Sequence, residues 1–252
     1  MTLDARGMHA EAYGLVVSIV QAMRGGATFA AASSAAMTNM KALLAAKPRI
    51  SEEKQVGLVG ELLLLRSLLD TFDEYTVFDW WLGPLAEERD YAFPAFDAEV
   101  KTTLGETRTH VIHGAGQLEP SPGRRLWLVS VQITRAGGDP SGIGLPRLIQ
   151  EIRDRLSGTR DKFLGHLAGE GWDDEDAAMY PTAYVLRTIP AAYLVDDDFP
   201  AVTPGRLHSV VPHSDLVSDV TYRVDVSSRT AGAPGTPLDV FVPAPAAQEA
   251  RP

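Results

Sequence analysis

The 252-residue chain contains no cysteine, which excludes disulfide staples, zinc ribbons, iron–sulfur clusters and thiol nucleophiles. It has no apolar run near the ~20 residues of a membrane span. The short stretch Leu15–Val20 follows Asp4 and Glu11, where a signal peptide needs basic residues and a longer apolar run. A cytoplasmic protein away from the membrane is the expectation. Positive charge is also scarce, with 23 basic against 33 acidic side chains and a net charge of −10. On average that speaks against a nucleic-acid partner, because phosphate contacts come from Lys and Arg. The deficit is uneven, however. Lys101–Arg135 holds five basic residues against two acids, Leu145–Lys162 five against three, and His166–Pro200 one against eight. Such segregation fits either a dipolar surface with a basic face or two ordinary solvated surfaces. What is present, 45% apolar and 22% charged residues, is enough to bury a core and excludes a wholly disordered or collagenous chain.

Alanine and leucine richness with spacing near 3.6 predicts helices over 8–24 and 28–47, split by Gly25–Gly26. Pro48 ends the second. Ser51, followed by Glu52 and Glu53, is an N-cap with a dipole-matched first turn for a third helix, from Ser51 to about Asp70. Tyr75–Trp81 is β-branched and aromatic and reads as extended chain up to the Gly83–Pro84 break. Asp90–Phe93 and Ala98–Thr103 read as strands joined by a turn at Pro94–Asp97, and Leu126–Thr134 as a strand buried on both faces. A basic amphipathic helix is expected at Leu145–Leu156, with Pro146 in its first turn, and a shorter one at Asp161–Ala168. Tyr184–Thr188, Tyr193–Val195 and Thr221–Val226 are late strands. The tail from about Ser228, with five prolines between Pro234 and Pro252, is expected to be disordered. The order of elements predicts a mixed α/β sheet with helices packed on it.

Two places could carry chemistry. In AEVKTT, Glu99 and Lys101 are two apart, so on a strand they share a face, while Val100 points to the core. A hairpin turning at Pro94–Asp97 brings Asp90 close to Glu99. Two carboxylates and an ammonium there would suit a hard cation such as Mg2+; the alternative is an ordinary surface ion pair. The second place is Glu61, inside the apolar run VGLVGELLLL. Its neighbours three and four residues away are Gly57, Leu58, Leu64 and Leu65, so no basic partner lies on its own helix. A carboxylate on a buried stripe is costly without a cation or donors. Gly57 and Gly60 remove bulk and would let a sheet approach. Alternatively, Glu61 lies at the edge of the stripe and reaches water. His110 and His113 read as loop histidines, and Trp80 and Trp81 as packing residues rather than a base-stacking platform.

GLVGELLLL, WWLGP, RDYAF, EVKTT, His110 and Gln117–Leu118, in that order, resemble the PD-(D/E)XK nuclease superfamily. They are more closely similar to the bacterial "PD-(D/E)XK motif protein" family of restriction and phage-defence gene clusters. The likeness runs to about residue 226 and includes YLVDDDFP and DVTYRVDV. It implies a restriction-endonuclease-like fold, a mixed α/β core flanked by helices with its site on a central hairpin. The expected layout is an N-terminal helical extension over 1–50, a nuclease-like domain over 51–227 and the Pro/Ala-rich tail over 228–252. By resemblance, Asp90 and Glu99 are the metal-binding acids and Lys101 the motif lysine. Glu61 is the helix-borne glutamate, also a metal ligand, and Gln117 a polar residue just beyond the Glu-x-Lys strand. Arg89 stands where the motif has proline.

The expected activity is Mg2+-dependent cleavage of DNA, with Mn2+ as a substitute. Arg147 and Arg153 of the basic helix, the loop residues Arg124 and Arg125, and Arg108 and His110 are the expected DNA contacts. The alternative is a non-catalytic DNA-binding or assembly subunit of a defence complex; a hydrolase of small phosphate esters fits the basic stretches less well. Family context implies a DNA methyltransferase and an ATPase as partners, and cutting both strands would call for a homodimer or repeated nicking.

Overall fold

The computed structural model describes residues 9–45, 49–83 and 89–245. The chain divides into two units, residues 1–49 and 50–252. The first is a helical hairpin, α1 (His9–Arg24) and α2 (Phe29–Ala45). Gly26 takes φ +94°, a left-handed conformation that ends α1 and turns the chain. Leu15 and Ile19 meet Ala32 and Ala36 in the seam between the two helices.

The second unit begins with α3 (Glu52–Leu69). Ser51 caps it by accepting from Lys54 N, and Glu52, Glu53 and Arg66 match its dipole. Its apolar residues are buried over most of its circumference, so α3 runs through the core. The segment expected to be extended after Tyr75 is instead a helix, α4 (Glu74–Trp80). Asp73 accepts from Thr76 N at 3.0 Å and Glu74 lies in the first turn, and this cap outweighs the β-branched composition. Trp81 is buried and stacks on His166, and Trp80 packs edge-on against Phe72 and Phe93; both are packing residues, as expected.

The main sheet orders its strands β1 (Tyr91–Ala92), β2 (Phe96–Thr103), β4 (Arg125–Arg135), β6 (Ala183–Leu186) and β5 (Ile143–Gly144). β1 is antiparallel to β2, and β2 is parallel to β4. The turn between β1 and β2 is shorter than expected, because Phe93 N donates to Phe96 O and leaves only Pro94 and Ala95 at the tip. Strand β7 (Ala191–Leu194) pairs with Trp127–Ser130 of β4, while β6 pairs with Ile133–Arg135. β4 is therefore flanked along its length and buried on both faces. A separate ribbon joins β3 (Thr109–His113) to β8 (Thr221–Asp225). His110 and His113 lie on this strand, not in a loop. Helices α5 (Leu145–Arg153), α6 (Arg160–Gly169) and α7 (Pro204–Val210) complete the unit.

The expected disorder of the tail is overturned for residues 228–245. Gly232 bridges to Ala192, and Leu238, Phe241 and Val242 are buried in the main core, where the turn Leu238–Val240 meets α3. Apolar side chains between the prolines outweigh the composition. Residues 246–252 lie outside the described residues. No described helix is long and apolar enough to cross a membrane.

Candidate active site

A cleft of about 850 Å3 opens where α3 faces β2, with Glu61, Asp90, Glu99, Lys101, His110 and Gln117 on its walls. Gly60 makes the close approach possible: a Cβ there would come within 1.8 Å of Thr102 Oγ1 on β2. Gly57, by contrast, has open space beside it. The pairing of Tyr91 with Ala98 and Ala92 with Asp97 continues to set Asp90 opposite Glu99, on one face of the hairpin. Asp90 Oδ2 accepts from Val100 N at 2.7 Å, which fixes the carboxyl across the strand. Lys101 Nζ lies 2.7 Å from Glu99 Oε1, as the two-residue repeat of a strand requires. Above them stands Glu61, anchored by its backbone, whose carbonyl accepts from Tyr91 Oη at 2.9 Å. Its carboxylate has no hydrogen-bond partner among the described residues.

Burial raises Glu61 well above the usual carboxylate range, and Asp90 raises it further. Glu99 is pushed up to about 8 by burial and by Asp90, and Asp90 is itself raised by burial. Burial alone would lower Lys101, yet Glu99 and Asp90 outweigh it and hold the ammonium above its ordinary value. Three enclosed carboxylates thus gather around Lys101, with Arg89 acting more weakly on Asp90 and Glu99. Glu170, at the end of α6, also lines the cleft and raises both Glu61 and Asp90. Sequence reasoning did not single it out, and nothing local could have done so, because about seventy residues separate it from the motif strand.

Arg89 stands where the motif has proline. Its guanidinium reaches the carbonyls of Gly116, Gln117 and Glu119 and so holds the turn that carries Gln117 beside the cleft. Gln117 Oε1 accepts from His113 N at 3.0 Å. His110 is buried, with Nε2 2.8 Å from Ser130 Oγ; burial first, then Lys101 and Arg108, depress it to about 4. A second cleft, about 860 Å3, adjoins at His113 between Leu207, His208 and Val217, without a buried acid–lysine set.

Of the expected DNA contacts His110 alone lines this cleft; Arg108, Arg124, Arg125, Arg147 and Arg153 do not. Arg108 donates within the protein, to Ser130 O, Ser130 Oγ, Thr188 Oγ1 and Ile189 O. The His110 ring is buried against Ser130. Arg124 is tied to Asp97 and Phe93 O, Arg153 to Asp174 and Arg147 to Glu151. Arg125 is exposed.

Oxygen donors and an excess of buried negative charge fit a hard divalent cation. Among the described residues no three His, Asp or Glu side chains are grouped closely enough to form a ligand set. Asp90, Glu99 and Glu61, the expected ligands, all line the cleft, Asp90 and Glu99 side by side on the hairpin. Mg2+ suits such a site, because it keeps several waters and takes one or two carboxylates.

The family described as "Putative PD-(D/E)XK family member, (DUF4420)" matches residues 13–227. No curated protein and no solved structure matches the chain. With the match running over most of its length, the chain belongs to this PD-(D/E)XK family.

Proposed function

We propose that this PD-(D/E)XK protein is a Mg2+-dependent endonuclease that hydrolyses phosphodiester bonds in DNA and serves restriction or phage defence. The reading rests on the enclosed Asp90–Glu99–Lys101 hairpin facing Glu61 in a chain of this family. Asp90 and Glu99 would hold the cation together with water. A bound Mg2+ polarises a phosphoryl oxygen and makes its water a better nucleophile at neutral pH. Lys101 orients the attacking water and offsets charge developing on the phosphate, as a preorganised donor in an enclosed site can. Glu61, facing the same space, would bind the cation directly or through water, which would offset the burial that raises its carboxyl. Arg125 and Arg147, the exposed arginines among those expected, contact backbone phosphates outside the cleft, which positions DNA without reading its sequence. A methyltransferase and an ATPase as partners belong to the same reading.

The test is incubation with supercoiled plasmid, methylated and unmethylated, in Mg2+, Mn2+ or chelator. Metal-dependent relaxation or linearisation that disappears in Asp90→Ala and Lys101→Ala is the expected result. Cutting that survives chelation, or that is equal in wild type and both variants, would overturn the reading. Binding without any cutting would turn it into that of a non-catalytic DNA-binding subunit.

A further inference from the structure

The helical hairpin of residues 9–45 leaves one face uncovered. Tyr13, Val16, Val20 and Met23 of α1 are 73%, 50%, 43% and 43% exposed. Their spacing of three, four and three residues sets them within an arc of about 80° at 3.6 residues per turn. The seam residues Leu15 and Ile19 lie on a different face. Helical geometry for an antiparallel pair places Phe29 and Met37 of α2, 55% and 45% exposed, on the same side of the hairpin as this stripe. Ser18, Gln21, Ser34 and Thr38 occupy the opposite side, so the hairpin has one apolar and one polar face. A solvated helix keeps charge on its outer surface; here Arg24, beside Tyr13 at the edge of the apolar face, is the one charged residue among the described side chains of the hairpin.

We propose that this face is a self-association surface, on which a second copy of the chain docks its own hairpin to form a four-helix bundle. The partner follows from spacing, charge and area. A three–four–three apolar stripe is the seam that helices present to one another, and an identical stripe meets it under a two-fold axis. With Arg24 the one charge among the described side chains, and at the edge of the face, repulsion between two copies is small. Six half-exposed large side chains per copy offer on the order of 500 Å2, so two copies bury about 1,000 Å2, the lower limit for a specific interface. The hairpin's own seam joins two large residues to two alanines, little for a pair of helices to stand on alone. The inference does not depend on the nuclease reading; if both hold, one particle carries two active sites.

Sedimentation velocity on the full chain, from 1 to about 50 µM, tests it. The wild type is expected to sediment as a dimer. Val16→Glu/Val20→Glu is expected to weaken self-association at least 100-fold. All four tryptophans lie outside the hairpin, so an unchanged tryptophan emission and melting temperature would show that the rest of the chain stays folded. Because the chain has no cysteine, Val20→Cys gives a clean second reading: it should oxidise to a covalent dimer, whereas Ser18→Cys should not. A wild type monomeric throughout, or a dimer that persists in the double variant, would overturn the proposal. Monomeric wild type whose melting temperature falls in the double variant would overturn it too, by showing that the stripe covers the chain's own remainder.

Discussion

At the cleft, one ammonium serves three carboxylates. Glu99 holds Lys101 directly at 2.7 Å, while Asp90 and Glu61 reach it only through space. Lys101→Ala is expected to slow metal-dependent DNA cleavage by ~10²–10³-fold, the usual loss for one preorganised charge contact. Metal binding should survive, since the substitution removes positive charge from a site short of it, and gel-shift affinity should change little because the exposed arginines lie outside the cleft. A large loss of DNA binding together with cleavage would make Lys101 a docking residue instead. Asp90→Ala should also stop cleavage, but through weaker cation binding, so that raised Mn2+ restores part of the rate; no restoration at any concentration would argue against a ligand role. Residue parity made Glu99 and Lys101 legible, and the lack of an intrahelical partner did the same for Glu61. Glu170 and the buried setting of His110 were not legible, because each depends on a neighbour distant in sequence. The arginines misled for a related reason. Clustering along the chain says nothing of which carboxylate or carbonyl each guanidinium will find.

Between elements, two contacts decide how closely the frame closes. α3 lies on β2 with Gly60 against Thr102. Gly60→Ala should cost about 1–3 kcal/mol by overpacking, read as a lower urea midpoint. Adding Thr102→Ala should return part of the loss, and a Gly60→Ala chain as stable as wild type would show that the helix can shift. The second contact joins α4 to the start of α6. Glu74 accepts from Ser157 N, Gly158 N, Thr159 N and Thr159 Oγ1 at 2.8–3.2 Å. The Gly158 amide and the other donors around it hold this carboxyl down at about 2, against 4.5 ordinarily. A depressed carboxyl stabilises the fold fully above its unfolded value and less as pH falls from 4.5 through about 2. Glu74→Ala should therefore cost about 1–2 kcal/mol at pH 7, with the gap to wild type closing below pH 3. A gap independent of pH would show that the loss is one of packing. Helices with strong caps and apolar runs, such as α3 and α5, were legible in the sequence, as was the doubly buried β4. α4 was not: Asp73 caps it, but its β-branched and aromatic residues read as a strand. β3 and α7 were not, because a five-residue strand and a two-turn helix carry too short a period to read.

For the molecule as a whole, composition misjudged residues 228–245, since proline density hid three apolar side chains that complete the core. Leu238 and Val242 are almost wholly enclosed, Phe241 is 8% exposed, and Gly232 lies so close to Trp127 that a Cβ there would come within 2.6 Å of the ring. The segment is a closing strap over β4 and α3 and not an appendage. Each such side chain is worth ~1.5–3 kcal/mol when buried, and the total stability of a domain is only about 5–15 kcal/mol. Ending the chain after Ala231 is therefore expected to remove a large share of the stability. It should lower the melting temperature by many degrees and shift tryptophan emission to the red as Trp127 meets water. Ending it after Pro245 should change neither quantity, because the buried residues described in the strap are all kept. Leu238→Ala separates packing from chain length: it keeps all 252 residues and should cost 2–5 kcal/mol as a core truncation. Were the chain ending at Ala231 to melt and fluoresce like the full protein, the core would be complete without the strap, and its burial would be incidental to folding.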